Sequence, residues 1–590
     1  MIQKSQFDIL HTLLQAGDAP LTQRSIAQKT GISLGKVNQV LAEMSEAGLV
    51  DRSIRITDAG RAALEPYRVK NAVIMAAGMS SRFAPLSYEK PKALLNVKGE
   101  LLIEREIRQL QEAGIRDITL VVGYLKEKMF YLADKFGIRI VVNEDYYRYN
   151  NPSTLMLVAD QLDNTYICSS DNYFTENPFE QYVYRAYYSA VFAPGETDEY
   201  CITFDKKGRI TNVAVGGSAS WYMLGHVYFD RTFSRKFTRI LRDSYDQPTT
   251  REHLWEDLYI RHIDELDLYI RKYDSSIIKE FDSLDELREF DEYYVRNSDS
   301  QIFSNICTVL NCNEEEICDI KPIKTGLTNL SFRFTCRGQQ YVYRHPGVGT
   351  DAYINRESEA SSMAIARELG LDDTFIYMDP QSGWKISRYI EDARLLDYHD
   401  DAQVNQALEM LRKLHTSGKK TAYTFDVWKE IAGFEQSLKR VHRDEFEDMA
   451  EIRSGMAQLR GCMAADPVEP CLCHCDSYAP NFLLDRSGKM YLIDWEYSGM
   501  SDPGADLGTF IACADYTEAQ AMEILRRYLQ TDVDDGRLRH LVGSVAVSSF
   551  YWFLWALYQE SVGKNVGNYL YIWYRYTKSY CKLALSMYQS

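Results

Sequence analysis

The chain has 590 residues, 45% of them apolar and 26% charged, a balance that excludes a mostly disordered or collagen-like protein. At about 100–200 residues per domain, the length predicts three to five domains. Lys and Arg total 67 against 84 Asp and Glu, so the formal net charge of −17 excludes a chain that grips nucleic acid over its whole surface.

Met1-Ile2-Gln3-Lys4-Ser5 carries no apolar secretory core, and twelve Cys are too sparse for a disulfide scaffold. Reduced thiols and a cytoplasmic location are the expectation. Residues 1–68 read as a helical unit. Phe7, Ile9, Leu10, Leu13 and Leu14 suit one amphipathic helix, Thr22 can cap a second and Ser33 a third. Val37, Val40, Leu41 and Met44 recur at helical spacing in the third. Leu49-Val50 and Ile54-Arg55-Ile56 read as two short strands, and Asp58 can cap a last helix. Three helices and a β-hairpin resemble a winged helix-turn-helix domain. The unit holds eight basic against seven acidic residues, a weak balance for gripping phosphates. Lys36, Asn38 and Gln39 on the third helix and Arg52 and Arg55 at the wing leave DNA binding open, beside dimerisation or packing on the enzyme.

From Val69 the texture changes. Ala72 to Ala77 is a continuous apolar run, the mark of a strand buried on both faces of a parallel sheet. Helix Ile103 to Glu112, strand Ile118 to Val122, helix Lys126 to Phe136 and strand Ile138 to Val142 continue an α/β alternation. Tyr166-Ile167-Cys168 is a further strand, ending at Asp171. A polar stretch around Asn297 to Ser300 is the predicted linker. The domains expected are therefore 1–68, 69–295 and 296–590, the last in two lobes.

Gly78-Met79-Ser80-Ser81-Arg82 follows directly on the first strand, and Lys92 lies ten residues beyond Arg82. Small residues let backbone N–H groups approach phosphate oxygens, and the two cations can offset charge that builds during attack on an α-phosphate. Gly78 to Leu86 with Pro91-Lys92 resembles the phosphate-binding motif of the nucleotidyltransferase superfamily, and within it the bacterial CTP:phosphocholine cytidylyltransferases. The resemblance implies an α/β Rossmann-like fold, CTP as nucleotide and Mg²⁺ held by Asp171 and Asp282. It places Ala77, Gly78, Arg82 and Asn150 at the nucleotide. Trp255, Glu256, Asp257 and Glu280, with Trp221, resemble the positions that line a choline pocket. Aromatic faces and carboxylates hold a quaternary ammonium, although both Trp also read as core residues.

His474-Cys475-Asp476 has Asn481 five residues after its Asp, and Asp494-Trp495-Glu496 follows. This is the arrangement of protein-kinase-like phosphotransferases, in which one Asp orients the acceptor hydroxyl while an Asn and a second Asp hold Mg²⁺. Residues 300–590 resemble bacterial choline kinases, which implies an α+β two-lobed kinase-like domain that uses ATP. The resemblance assigns Asp476 to catalysis and Asn481 and Asp494 to the metal. It assigns Gly326, Thr328, Asn329 and Arg344 to the nucleotide, with Glu357 or Glu359 as the partner of Arg344. Asp506 continues the match on the substrate side. Trp552 and Trp555 share a helical face inside Leu541 to Tyr558, a stretch without charge that reads as a buried helix rather than a membrane span. An aromatic stripe is usually core, but beside the kinase motifs it reads as a wall for choline.

Cys471, Cys473 and Cys475 with His474 look like a zinc cluster. No second ligand pair follows at zinc-site spacing, so these Cys read as packing residues, with the three on one face of a strand. Together the motifs predict a bifunctional enzyme. ATP would phosphorylate choline, and CTP would convert phosphocholine to CDP-choline and pyrophosphate. The alternatives are another amino alcohol or a sugar phosphate, or a regulator that senses metabolites. A homo-oligomer is compatible with all of these.

Overall fold

The structure, a computed structural model, describes residues 2–17, 19–296, 298–323, 329–347, 354–440, 446–466, 468–530, 534–561 and 566–589. The chain divides into two compact units, Met1–Thr308 with Asn313–Glu315, and Val309–Cys312 with Glu316–Ser590. The division lies beyond the linker read at Asn297 to Ser300. Helix Gln301–Leu310 begins anchored on the first unit, because Glu89 accepts the backbone N–H of Ile302 at 3.1 Å.

The first unit opens with helices α1 (Lys4–Ala16), α2 (Gln23–Thr30), α3 (Leu34–Glu46) and α4 (Asp58–Leu64). Thr22 and Ser33 cap α2 and α3 as their side-chain chemistry predicts. Thr57, not Asp58, caps α4, accepting from Gly60 N. The expected hairpin shrinks to a single bridge, Val50 to Ile56. This helical unit is not a free module. Tyr182 belongs to its core, Tyr184 stacks on Tyr67 at 5.4 Å, and Val183 N–H donates to Tyr67 O at 2.9 Å. Asn164 also donates to the carbonyls of Pro66 and Arg68. Each ring buried there contributes about 2 kcal/mol. The outward residues Lys36, Asn38 and Gln39 of α3 stay exposed, as do Arg52 and Arg55.

A seven-stranded sheet follows, built from β1 (Asn71–Ala76), β2 (Ile118–Val122), β3 (Arg139–Val142), β4 (Thr165–Ser169), β5 (Tyr187–Phe204), β6 (Ile210–Phe229) and β7 (Tyr269–Lys272). Its order is β7-β5-β6-β4-β1-β2-β3. The predicted parallel core is present, since β1 pairs parallel with both β2 and β4, and β2 with β3. The long strands β5 and β6 pair antiparallel, and β6 also pairs antiparallel with β4. The helix expected over Lys126 to Phe136 is broken, with a 3₁₀ turn Lys126–Met129 before helix Tyr131–Phe136. Strand order reverses between β1 and β4, and such a switch point opens a crevice at the carboxyl ends of the strands. Met75 pairs with Ser169, so Ala77 and Asp171 lie side by side, each two residues past a paired position.

The second unit begins with an antiparallel sheet of β8 (Ile317–Ile323), β9 (Leu330–Cys336), β10 (Gln339–His345), β11 (Phe375–Met378) and β12 (Lys385–Arg388), in the order β8-β9-β10-β12-β11. Helix α5 (Arg356–Glu368) packs on it. The helical lobe contains α6 (Asp401–His415), the pair β13 (Cys471–Cys473) and β14 (Gly499–Ser501), α7 (Gly504–Ala512), α8 (Asp535–Ser561) and α9 (Tyr569–Gln589). The expected α+β two-lobed form is met. Helix α8 is long and apolar enough to cross a membrane, but its apolar window is 89% buried in the unit's core. It meets α7 at Gly504 and Gly508, where any β-carbon would overlap Ser544 and Ser548.

Candidate active sites

In the first unit the crevice is a cavity of about 530 Å³, large enough for a nucleotide. Ala77, Gly78, Lys92, Asn150 and Asp171 line it together. Lys92 Nζ donates to Asp171 Oδ2 at 2.9 Å, and Ser169 Oγ donates to Asp171 Oδ1 at 2.6 Å. Burial alone would lower the Lys92 pKa, but Asp171, Glu280 and Asp282 outweigh it and hold the ammonium above its usual value. Burial would raise Asp171, yet Lys92 and Ser169 keep it below the ordinary carboxylate range. Asp282 pairs with the exposed Arg82 at 3.2 Å. Glu280 is pushed up to about 8, by burial first and then by the Asp171 charge. Asp171 and Asp282 offer carboxylate oxygens of the kind that Mg²⁺ takes.

The other predicted pocket residues divide. Trp255 is a core residue, 1% exposed, stacked on Tyr188 at 5.8 Å and edge-on to Phe229 and Phe237. Trp221 stands against Phe192 with Lys272 Nζ 4.8 Å from its ring centroid, so a cation already occupies its face. Neither forms the expected open wall, because Trp255 is enclosed by Tyr188, Phe229 and Phe237, and Trp221 already has Phe192 and Lys272 against it. Glu256 accepts from Tyr188 at 3.0 Å, and burial pushes it up to about 7. Asp257 accepts from Tyr200 at 3.1 Å and from Leu254 N, closing its helix start.

In the second unit, Arg344 is 5% exposed on β10 and contacts Glu359 on α5 at 2.6 Å. That contact decides between the two candidate partners, since Glu357 instead accepts from Tyr423. Arg344 also reaches Asp494 at 3.3 Å and Glu496 at 3.5 Å. Burial would raise Glu359, but Arg344 and Lys385 bring it down to about 2. Asn329 donates to Glu496 at 3.0 Å. Gly326 and Thr328 lie outside the described residues.

Asn481 Nδ2 donates to Asp476 Oδ2 at 2.9 Å and to Asp476 O at 2.8 Å, which leaves its Oδ1 to ligate. Asn481 and Asp494 are again the oxygen donors suited to Mg²⁺. Burial, then the Asp494 charge, pushes the Asp476 carboxyl well above the ordinary carboxylate range. Cys475 and Asp494 both hold positive φ, 65° and 66°, and such strain collects where a loop must aim a side chain. Trp552 stands edge-on to Trp555 at 5.6 Å and to Tyr497 at 6.0 Å, and donates to Thr509 at 3.1 Å.

The model for MobA-like NTP transferase domains matches residues 72–247, that for the phosphotransferase enzyme family 319–541, and one described as wHTH-PRTase associated 12–81. The choline-phosphate cytidylyltransferase of Streptococcus pneumoniae is 33% identical over 221 residues, 38% of this chain and 96% of that protein. The 2-aminoethylphosphonate cytidylyltransferase of Lancefieldella rimae is 36% identical over 229 residues, 38% of this chain and 93% of that protein. The chain belongs to the bacterial cytidylyltransferase family. Its second unit is similar to protein LicA of Haemophilus influenzae, 28% identical over 255 residues, 41% of this chain and 94% of that protein. One chain thus carries a cytidylyltransferase and a kinase-type phosphotransferase.

Several residues of both sites escape a sequence reading. In the cytidylyltransferase, Glu199 on β5 comes near Asp282 and Arg82, and burial and then Asp282 raise its pKa. In the phosphotransferase, Lys385 is the ladder partner of Arg344 and reaches Glu359 at 3.2 Å and Asp494 at 3.3 Å. Trp573 joins the aromatic group at 5.9 Å from Trp552, backed by Tyr569 at 5.1 Å. Only strand pairing or helix packing brings these residues in, so no local spacing marks them. Asp506 is corrected from a substrate residue to a loop holder. It is 0% exposed and accepts the backbone N–H groups of His474 and Cys475 while pairing with His415.

Proposed function

We propose that the chain converts choline to CDP-choline in two steps, one in each unit. The reading rests on the aromatic group of Tyr497, Trp552, Trp555 and Trp573, next to a kinase-type loop. A quaternary ammonium donates no hydrogen bond, so π faces are its natural contact. The relatives' cytidylyltransferase activities add the second step.

In the first step the choline hydroxyl oxygen bonds to the γ-phosphorus of ATP and the bond to the β-bridging oxygen breaks, leaving ADP. Asp476 takes the hydroxyl proton, and Arg344 with Lys385 holds the phosphates. In the second step a phosphocholine oxygen bonds to the α-phosphorus of CTP and pyrophosphate leaves. Lys92 meets the charge that develops on the α-phosphate, and the backbone at Ala77 and Gly78 takes the remaining phosphates. Mg²⁺, when bound, neutralises phosphate charge at each site.

Pure protein supplied with choline, ATP, CTP and Mg²⁺ should yield CDP-choline. Asp476→Ala should abolish phosphocholine formation alone, and Asp171→Ala cytidylyl transfer alone. Parallel arms with ethanolamine and 2-aminoethylphosphonate decide the substrate. Faster turnover of 2-aminoethylphosphonate than of phosphocholine would overturn the second step as written.

A further inference from the structure

Strand β13 runs into the catalytic loop of the phosphotransferase and carries Cys471 and Cys473 on one face. Their Sγ atoms are 3.6 Å apart. Cys475 lies beyond the strand at positive φ, so the three Cys do not share that face. The third neighbour is His415, the last residue of α6 and distant in sequence. The ligand atoms of His415, Cys471 and Cys473 all lie within 4.8 Å of one another. Among the described residues, this is the group in which three His, Cys or carboxylate ligand atoms gather so closely.

We infer that Cys471, Cys473 and His415 form a site for a thiophilic divalent cation, zinc above all. Two thiolates about 2.3 Å from a tetrahedral zinc stand about 3.8 Å apart, so the sulfur pair already has the required separation. The histidine is prepared as well. Its Nε2 meets Asp506 Oδ2 at 2.8 Å, and its Nδ1 meets the Tyr528 hydroxyl at 2.7 Å. The carboxylate fixes the proton on Nε2, which leaves the Nδ1 lone pair for a metal. A carboxylate behind a histidine is the arrangement that orients metal-binding imidazoles. Zinc would displace the Tyr528 hydroxyl, and water entering beside the partly exposed Cys471 would supply a fourth ligand.

Packing thiols are the competing account. Cys473 Sγ does contact the carbonyls of Ser501 and Asp502, at 3.6 and 3.5 Å. Packing alone, however, asks for neither a second thiol at zinc spacing nor an oriented imidazole. Asp506 ties the site to the loop that carries Asp476, so bound metal would fasten that loop without touching the reacting atoms.

The test uses the reduced full-length chain with Cd²⁺ as probe, read by its thiolate-to-metal absorption band, and Zn²⁺ by equilibrium dialysis. One equivalent of each should bind. Cys471→Ser and Cys473→Ser should each weaken binding at least tenfold, as should His415→Gln, while Cys318→Ser should change nothing. Cys471→Ser should keep the far-UV circular dichroism spectrum and cytidylyl transfer of the wild-type chain, which reports that it is folded. X-ray absorption of the zinc-loaded wild-type chain should count two sulfur ligands, a reading independent of any variant. The absence of a cadmium band, a band that survives Cys471→Ser, or a sulfur count other than two would overturn the site.

Discussion

Asp506 accepts the backbone N–H of Cys475 at 2.6 Å with one carboxylate oxygen, and that of His474 with the other. The two residues are 31 apart in the chain, and the contact fixes the backbone just before Asp476. Asp506→Asn leaves the shape but offers a donor where two donors already point. The loop should shift, and a shift of about 1 Å can cost about 100-fold in rate. Steady-state kinetics should show kcat for choline phosphorylation falling by about that factor while the KM for ATP holds. Cytidylyl transfer should be unaffected.

Lys92 and Asp171 form the corresponding contact of the other site. Lys92→Met removes the cation and leaves Asp171 buried without its partner. Loss of one preorganised charge contact typically costs about 100- to 1,000-fold. A CTP-dependent assay should register that loss, and choline phosphorylation in the same preparation should continue.

Trp552 and Trp573 face each other at 5.9 Å from different helices. If the group holds a quaternary ammonium, Trp552→Ala and Trp573→Ala should each raise the choline KM. A cation–π contact is worth up to about 2 kcal/mol when desolvated, or roughly 30-fold in affinity. The KM for ATP should move less than twofold. An unchanged choline KM in both variants would remove the aromatic group from the binding site.

Glu256 is 9% exposed and pushed up to about 7 by burial. A carboxyl whose folded pKa exceeds its unfolded value favours the folded state while protonated. That advantage is lost as pH rises from about 4.5 through 7. Glu256→Gln should therefore raise Tm more at pH 8 than at pH 5. The displacement corresponds to at most about 3 kcal/mol. Thermal melts at the two pH values measure it, and equal shifts would show that Glu256 is ionised throughout.

The motifs that define both chemistries were legible because each is local. The loop after the first strand, Lys92, the His474 to Asn481 loop and Asp494 follow short spacings, and the apolar run of β1 marked the sheet. The surroundings of aromatic residues are not legible for the converse reason. Trp255 and Trp552 are both buried among aromatic rings, Trp255 against the sheet with Tyr188, Phe229 and Phe237 and Trp552 in the helical lobe with Trp555 and Trp573. Burial is a property of what packs against a residue, and no window of sequence contains it. The 42 Tyr are explained in part, since Tyr67, Tyr182 and Tyr184 seal the helical unit to the cytidylyltransferase and Tyr188 and Tyr200 bond its carboxylates.

The sequence by itself determined that this is a multidomain chain with a nucleotidyltransferase and a kinase-type phosphotransferase in fixed order. Those assignments rest on residue types at short spacings, which backbone geometry converts directly into sites. Tertiary structure alone decided which partners complete them. It chose Glu359 over Glu357, brought Lys385 to Arg344 and moved Asp506 from substrate to loop. It also set His415 beside two thiols. Each of these depends on strand pairing or helix packing across tens of residues, and distance in the chain carries no record of distance in space.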